Sequence, residues 1–504
     1  MDVLLILPLV IPLTTAAVSL LLRQQRHLQQ FLGVAGMAAL SGVAIVLLTV
    51  VWRDGIQTTN LGDWPAPFGI VLVADLLSST MVLVAALMGL AVAVFSLASV
   101  EGERNAFGYY PLVHVLLMGV CGSFLTGDIF NLYVWFEVML IASFALLSLG
   151  GERGQIEGTI KYTALNLFSS TVFLVAIGAL YAVAGSLNMA DIALALQGDV
   201  NEGLVTTIAV LFLIAFGIKA GAFPLYFWLP ASYHTPLVAV SALFAGLLTK
   251  VGVYALIRVF TLLFVRDVGY THNLILVVAG LTMVSGVLGA IAQVEYRRIV
   301  SFQIISTIGY MLMGLGLFTP LALAGAIFYV LQDIVVKTNL FLLGGVTQAL
   351  NGTDRLSGLG GMYRKLGIGA ACLVIPAFSL AGIPPLPGFF AKLALVQAGL
   401  REHEYLIVGV ALAVGTLTLY SMAQVVAAWW KPTAAPSSDG SRGPARDTLS
   451  RQEKWSILGP VAVLSVSIVS MGLAAGPLFA LAERAADQLL DPGQYIAAVL
   501  ETSS

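Results

Sequence analysis

Fourteen apolar stretches of about 20 residues run through this sequence almost without charge, each long enough to cross a bilayer core about 30 Å thick. They lie near 2–22, 30–52, 73–99, 108–126, 128–149, 160–185, 204–230, 237–264, 272–293, 299–318, 321–349, 370–400, 403–430 and 456–482. In lipid a helix satisfies all of its own backbone, whereas an open sheet cannot. Only 10% of residues are charged, against about 25% in soluble domains, too few to wet the surface of a water-soluble protein of this size. The expectation is an all-α polytopic membrane protein with 14 transmembrane helices. The stretch 187–199 is short and amphipathic, and reads as a helix lying on the surface. The N-terminus has no basic residues ahead of its apolar run; Arg23 and Arg26 follow it, which suits a retained first span rather than a cleaved signal.

Lys and Arg outside the spans set the orientation. Connections after odd-numbered spans carry fifteen, including Arg104, Arg297, Arg298, Arg442, Arg446, Arg451 and Lys454, and the other side carries four. That bias puts the odd connections in the cytoplasm and both termini outside, in a cell (inner) membrane. The Pro-, Ser- and Gly-rich stretch 431–455 reads as a flexible cytoplasmic loop. With a net charge of −2, a nucleic-acid partner has no electrostatic basis. Cys121 and Cys372 lie in apolar runs without metal-ligand spacing and read as core residues, so no metal or cofactor is expected. The glycines of "GLGGMYRKLG" (358–367) lack the spacing and strand–helix context of a dinucleotide site.

Five basic residues fall inside spans: Lys219, Lys250, Arg258, Lys337 and Lys392. Arg258 is near a span end, where it can snorkel to the headgroups. Glu137, Asp75 and Asp333 are acidic residues within spans, and Asp128, at the start of one, reads as a helix N-cap. A charge at mid-bilayer costs about 2.5–3.5 kcal/mol on insertion scales, so four lysines represent roughly 10 kcal/mol. Either they are ion pairs that lock helices, or they handle protons. The acids are too few to pair them all statically, which favours the second reading. Lysine suits it: its ordinary pKa is about 10.4, and full burial can bring such a group to about 5–6, a range closed to arginine. Tyr329, Asp333 and Lys337 share one helix face at i, i+4 and i+8, as do Lys250, Tyr254 and Arg258.

"AGAFPL" (Ala220–Leu225) recurs as "AGIPPL" (Ala381–Leu386), matching Pro224 to Pro385. Proline inside a span breaks the helix, and paired broken spans point to an inverted-repeat transporter. Lys219 lies five residues before its proline and Lys392 seven after.

"GDIFNLYVWFEVMLIASFAL" (127–146), "ALFAGLLTKVGVYALIRVF" (242–260), "DIVVKTNLFLLGG" (333–345) and "IPPLPGFFAKLALV" (383–396) carry a resemblance that covers essentially the whole chain. It resembles the antiporter-like membrane subunits shared by Mrp-type cation/proton antiporters, respiratory complex I and membrane-bound hydrogenases, and most of all the Mrp type. The resemblance implies two inverted five-helix repeats, spans 4–8 and 9–13, broken at helices 7 and 12. The domains are then 1–100 (spans 1–3), 108–264 and 272–430 (the repeats), 431–455 (the loop) and 456–504 (span 14 and tail). It also implies roles: Glu137 and Lys219 as a gating pair, Lys250 and Lys337 as relay lysines, Lys392 as the terminal one. His234, in the bend between spans 7 and 8, either extends the relay or is a plain loop histidine. Asp333 stands where many relatives carry histidine, and a carboxylate there is expected to hold Lys337 charged more firmly.

The expected function is a proton-translocating subunit of a multisubunit Na⁺/H⁺ antiporter, a secondary transporter without cofactor or metal that works with other subunits of a hetero-oligomeric complex. The alternatives are a proton-pumping subunit of complex I or a hydrogenase, and a non-transporting membrane scaffold.

Overall fold

A computed structural model describes residues 2–100, 107–432 and 451–500 of the chain. Of the loop read at 431–455, residues 433–450, with Arg442 and Arg446, lie outside the described residues, as does the segment holding Arg104, and 451–455 already belong to a helix. The chain is mostly helical. Among the described residues, twelve helices are long and apolar enough to cross a membrane, and Tyr109–Leu125 and Ala371–Ala381 are shorter apolar helices. The helices run α1 (Asp2–Leu21), α2 (Arg26–Asp54), α3 (Leu76–Ser99), α4 (Tyr109–Leu125), α5 (Ile129–Ser148), α6 (Arg153–Ala184), α7 (Met189–Ala195) and α8 (Glu202–Ala220). They continue with α9 (Trp228–Ser232), α10 (Val238–Leu243), α11 (Thr249–Leu262), α12 (Val268–Ile291), α13 (Tyr296–Leu317), α14 (Pro320–Asn351) and α15 (Met362–Leu366). The last are α16 (Ala371–Ala381), α17 (Pro387–Arg401), α18 (Tyr405–Trp430), α19 (Arg451–Leu473), α20 (Ala475–Leu490) and α21 (Pro492–Leu500). A small antiparallel pair, β1 (Gln57–Asn60) and β2 (Val71–Ala74), joins α2 to α3 with Gln57 opposite Ala74.

Three spans form the interior. The most apolar windows of Val238–Leu262, α13 and α14 are 94–100% buried, against 33–61% for the other nine. A helix apolar on every side belongs at the centre of a bundle. The outer helices instead turn Ile141, Val175 and Val277 outward, each more than half exposed, as a lipid-facing surface requires.

Local signals place the ends. Asp128 caps α5 as expected: its Oδ1 accepts the Asn131 N–H at 2.7 Å. Asp75 forms a reciprocal capping box with Ser78 at the start of α3. Thr319 caps α14 just ahead of Pro320, which occupies the first turn where no N–H is needed.

Both breaks are built alike. α8 ends at Gly221 (φ 83°) and α16 at Gly382 (φ 87°), each in the left-handed conformation that favours glycine. In each, the glycine N–H and the next N–H turn back onto carbonyls of the last turn, Gly217 and Ile218 in α8, Phe378 and Ser379 in α16. The glycine therefore ends the helix, and the proline three residues on keeps it from resuming. The peptide bonds before Pro224 and Pro385 are both cis.

Two expectations shift. The span placed at 456–482 stops at Leu473, and after a break at Ala474 the chain continues as α20 and α21, packed back against the start of α3 and β1. The stretch 187–199 forms only α7, whose Met189, Ala190, Ile192 and Ala193 are buried rather than laid on a surface. Neither outcome is legible along the chain, because both segments are amphipathic and find their apolar partners on the protein itself.

Candidate functional site

Lys219 occupies the last turn of α8, beside the Gly221 break, where a cation complements the negative end of the helix. Its Nζ donates to Ser170 Oγ at 3.0 Å and to the Asn166 carbonyl at 3.5 Å, both on α6, and lies 5.5 Å from the Phe136 ring centroid. Glu137 follows Phe136 on α5 and is within electrostatic reach of Lys219, yet the two are not in direct contact. The buried Oε1 of Glu137 has no hydrogen-bond partner among the described residues. The amine thus rests on a serine, with the carboxylate within its electrostatic reach.

Lys250 stands in the first turn of α11, directly after a π-turn at Phe244–Leu248. That wider turn leaves the Ala245 carbonyl free of the regular ladder, and Lys250 Nζ donates to it at 2.8 Å. The same Nζ is 2.8 Å from Asp333 Oδ2, and both side chains are fully buried. Asp333 reaches across from α14 to α11 and pairs directly with Lys250, while Lys337 also lies within its electrostatic reach. Thr307 Oγ1 on α13 also donates to Asp333 Oδ2 at 3.2 Å.

Lys337, one turn further along α14, is fully buried and its Nζ has no hydrogen-bond partner among the described residues. Around it the Asp333 Oδ1, the Thr338 hydroxyl, the Gln332 Nε2 and both amide atoms of Gln303 are also unpartnered. Leaving so many buried polar atoms without partners costs several kcal/mol in total unless water serves them. This interior is polar enough, and has enough partners, to hold water.

Lys392 stands in α17 and reaches back over the second break. Its Nζ donates to the Leu380 and Ala381 carbonyls at 3.0 and 3.2 Å and lies 5.1 Å from the Tyr310 ring. Those carbonyls are left over at the end of α16. Lys219 and Lys392, on opposite sides of their breaks in sequence, thus both lie at the C-terminal end of the first half-helix. Asp333 is within electrostatic reach of Lys250, Lys337 and Lys392.

His234 lies in the bend between α9 and α10, half-buried. Its Nδ1 contacts the Pro230 carbonyl at 2.8 Å and its Nε2 the Arg298 guanidinium at 3.2 Å. Arginine has only donors, so Nε2 accepts and Nδ1–H donates, which fixes a neutral ring. Burial first, and the Arg298 charge next, push its pKa down from 6.5 to about 4. An unfolded chain would take up a proton on this ring below about pH 6.5 that the folded one resists, so stability is full above that pH and falls as pH drops toward about 4. His234→Gln keeps a donor and an acceptor but cannot titrate. Its thermal unfolding temperature in detergent is expected to fall less than that of the parent between pH 7 and pH 4, and an unchanged difference would refute the assignment.

The expected snorkelling of Arg258 is also corrected. Arg258 is 5% exposed and points inward to Asp75, with Nη2–Oδ2 at 2.5 Å. A carboxylate within reach, at the N-cap of α3, makes pairing cheaper than leaving the bundle. Cys121 is buried, Cys372 half-buried, and no group of metal-ligating side chains occurs among the described residues. Three contributors to the site, Ser170, Gln303 and Thr307, are not singled out by the sequence reading. The 303, 306 and 307 spacing of polar residues on α13 is the available signal, since it marks one wet face of an otherwise apolar helix.

Comparison with known proteins agrees with this architecture. Residues 126–418 match the family described as NADH:quinone oxidoreductase/Mrp antiporter, TM. The chain is 45% identical over 502 residues, 99% of this chain and 100% of the relative, to a protein named as the D subunit of a Na(+)/H(+) antiporter from Alkalihalophilus pseudofirmus. It is 41% identical over 500 residues, 98% of this chain and 99% of the relative, to the protein of the same name from Bacillus subtilis. A chain in the structure of the Mrp complex from a Dietzia species superposes with a TM-score of 0.91 at 31% identity, covering 99% of this chain and 100% of that one. With more than half its length matched by the family and near-complete alignment to these relatives, the chain belongs to the NADH:quinone oxidoreductase/Mrp antiporter family of membrane subunits.

Proposed function

We propose that this chain is the proton-translocating subunit of a multisubunit Na⁺/H⁺ antiporter. The near full-length similarity to two proteins named as Na(+)/H(+) antiporter subunits, and to a chain of an Mrp complex, supports membership of such an assembly. The single observation that carries the mechanism is the row of amines within the spans, Lys219, Lys250 and Lys337 buried and Lys392 half-buried, of which, among the described residues, only Lys250 is in direct contact with a carboxylate. Protons pass along them through bound water. Glu137 gates Lys219 by alternating with Ser170 as its partner. Asp333 is the central counter-charge that Lys250 and Lys337 contend for. His234, held neutral by Arg298, borders the path without carrying it.

The fold that goes with this reading has fourteen spans: the twelve long helices, α4, and the broken pair α16–α17. Spans 4–8 and 9–13 form the two inverted repeats, at 108–264 and 272–430, broken at α8 and α16 respectively. Residues 1–100 form the first three spans, 431–455 the cytoplasmic loop, and 456–504 the last span with its helical tail. Both termini face away from the cytoplasm in a cell (inner) membrane, which the fifteen-to-four bias of Lys and Arg supports. The scaffold reading accounts for Lys250–Asp333, a fully buried ion pair, but not for Lys337, a buried amine with no partner among the described residues.

The test is exchange in everted vesicles containing the whole complex. Lys219→Met and Glu137→Gln are each expected to slow sodium-driven proton movement by about tenfold or more, what about 1.4 kcal/mol on a limiting step gives. Normal exchange from a normally assembled variant would refute the path.

A further inference from the structure

The face of α11 that carries Lys250 does not end there. Tyr254 and Arg258 continue it one and two turns on, so the Arg258 backbone lies about 12 Å along the helix from that of Lys250. All three side chains are buried. Such a stripe is a ready route for a proton to leave the centre of the bundle sideways, yet its hydrogen bonds run the wrong way. Arg258 Nη2 donates to Tyr254 Oη at 3.2 Å, and Tyr254 O–H donates to the Phe124 carbonyl at 2.6 Å. The one proton of the phenol is directed at a backbone oxygen that cannot pass it on, and a permanent cation faces its lone pairs. Asp75 is equally committed. Its Oδ2 takes Arg258 and its Oδ1 takes the Ser78 N–H at 2.8 Å, so each oxygen is already held in place by a donor other than Lys250.

The end of the stripe is roofed by the C-terminal helices. Tyr495 of α21 lies over the guanidinium, 5.2 Å from ring centroid to Cζ, with the Tyr254 ring 5.5 Å from it. Gln488 of α20 caps the Leu76 N–H at 3.1 Å, and Thr58 donates to the Ala498 carbonyl at 3.3 Å, tying the roof to α3 and β1. A buried guanidinium locked to its carboxylate neither takes up nor gives away a proton, so it interrupts any proton path through this stripe.

We propose that the Asp75–Arg258–Tyr254 cluster, closed by Tyr495, is an electrostatic seal that keeps protons on Lys250 from escaping along α11 to the face covered by α20 and α21. This rests on the reading of Lys250 as a proton site and assigns these residues a task that the relay lacks: the seal makes proton flow obligatorily longitudinal, so that it stays coupled to cation exchange.

The test is passive proton permeability in everted vesicles that contain the whole complex, measured after an acid pulse without sodium. Asp75→Asn with Arg258→Gln keeps the helix cap and a hydrogen bond but removes both charges. It is expected to raise sodium-independent proton leak about tenfold, the factor that about 1.4 kcal/mol off the barrier gives. Adding Lys250→Met to that pair is expected to return the leak to the parent level. A leak equal to the parent's in the assembled double variant, or one that persists undiminished when Lys250→Met is added, overturns the seal. Should the double variant not assemble, Tyr495→Ala, which only lifts the roof, decides on the same two criteria. Normal exchange in Lys219→Met would sink the longitudinal path while leaving this leak comparison standing, so the two failures are distinguishable.

Discussion

Lys250→Met is expected to abolish sodium-driven proton exchange and to lower the stability of the chain by about 3–5 kcal/mol, the usual cost of stripping a buried charge of its partner. Both members of the Lys250–Asp333 pair are fully buried and 2.8 Å apart. Without the amine, Asp333 keeps only the Thr307 hydroxyl, at 3.2 Å, and its Oδ1 is already unpartnered. Adding Asp333→Asn removes the stranded charge and is expected to recover most of the stability, because an amide in that place costs far less to bury than a carboxylate. Exchange, however, is expected to remain absent. This separation decides between the two roles of the pair. If it serves only to glue α11 to α14, the neutral double variant restores exchange along with stability. If it is a link in a relay, stability returns and transport does not. Thermal unfolding in detergent and proton exchange in vesicles, run on the same three proteins, give the answer.

Gly388→Ala is expected to be nearly as damaging although it touches no charge. A Cβ at this position would sit 1.9 Å from the Ser379 carbonyl, a backbone atom in the last turn of α16. The two half-helices must then move apart. Overpacking of this kind typically costs about 1–3 kcal/mol. The functional loss should exceed the loss of stability. Lys392, four positions beyond Gly388 in α17, donates back to the Leu380 and Ala381 carbonyls at the end of α16 and depends on the close approach of the two halves. Gly409 on α18 provides the control, since a Cβ there meets nothing within 4 Å. Gly409→Ala should leave exchange unchanged and stabilise the helix slightly, by about 0.5–1 kcal/mol. Equal behaviour of the two variants would show that the packing at the second break does not govern transport.

The amines are visible in the sequence because lysine is so improbable in an apolar span that its position alone marks it. The same holds for the paired Ala-Gly and Pro-Leu signals. They locate both breaks, although proline, expected to do the breaking, only prevents the helix from resuming; the left-handed Gly221 and Gly382 terminate it. Cap residues are equally legible: Asp128 binds the N–H three residues on, a contact that depends on neighbours along the chain and on nothing else. Partners across the bundle are not legible. The i, i+4 spacing of Asp333 and Lys337 suggests a pair, and the geometry gives the carboxylate to Lys250. Arg258 looks free to leave for the headgroups until Asp75, 183 residues away, proves to be beside it.

The sequence by itself determined that the chain is helical, that it spans a membrane many times, where two spans break, and which side chains are too costly to be there by accident. These are local or compositional properties, governed by the transfer of each residue from water to lipid and by bonds to near neighbours. Only the tertiary structure decided which amine meets which carboxylate: Lys250, directly after the wider π-turn at Phe244–Leu248, meets Asp333 of α14. It likewise decided that the last two helices fold back to roof Arg258. Energies of buried charges depend on distances of a few ångströms between helices far apart in sequence, and no pattern along one stretch of chain encodes them.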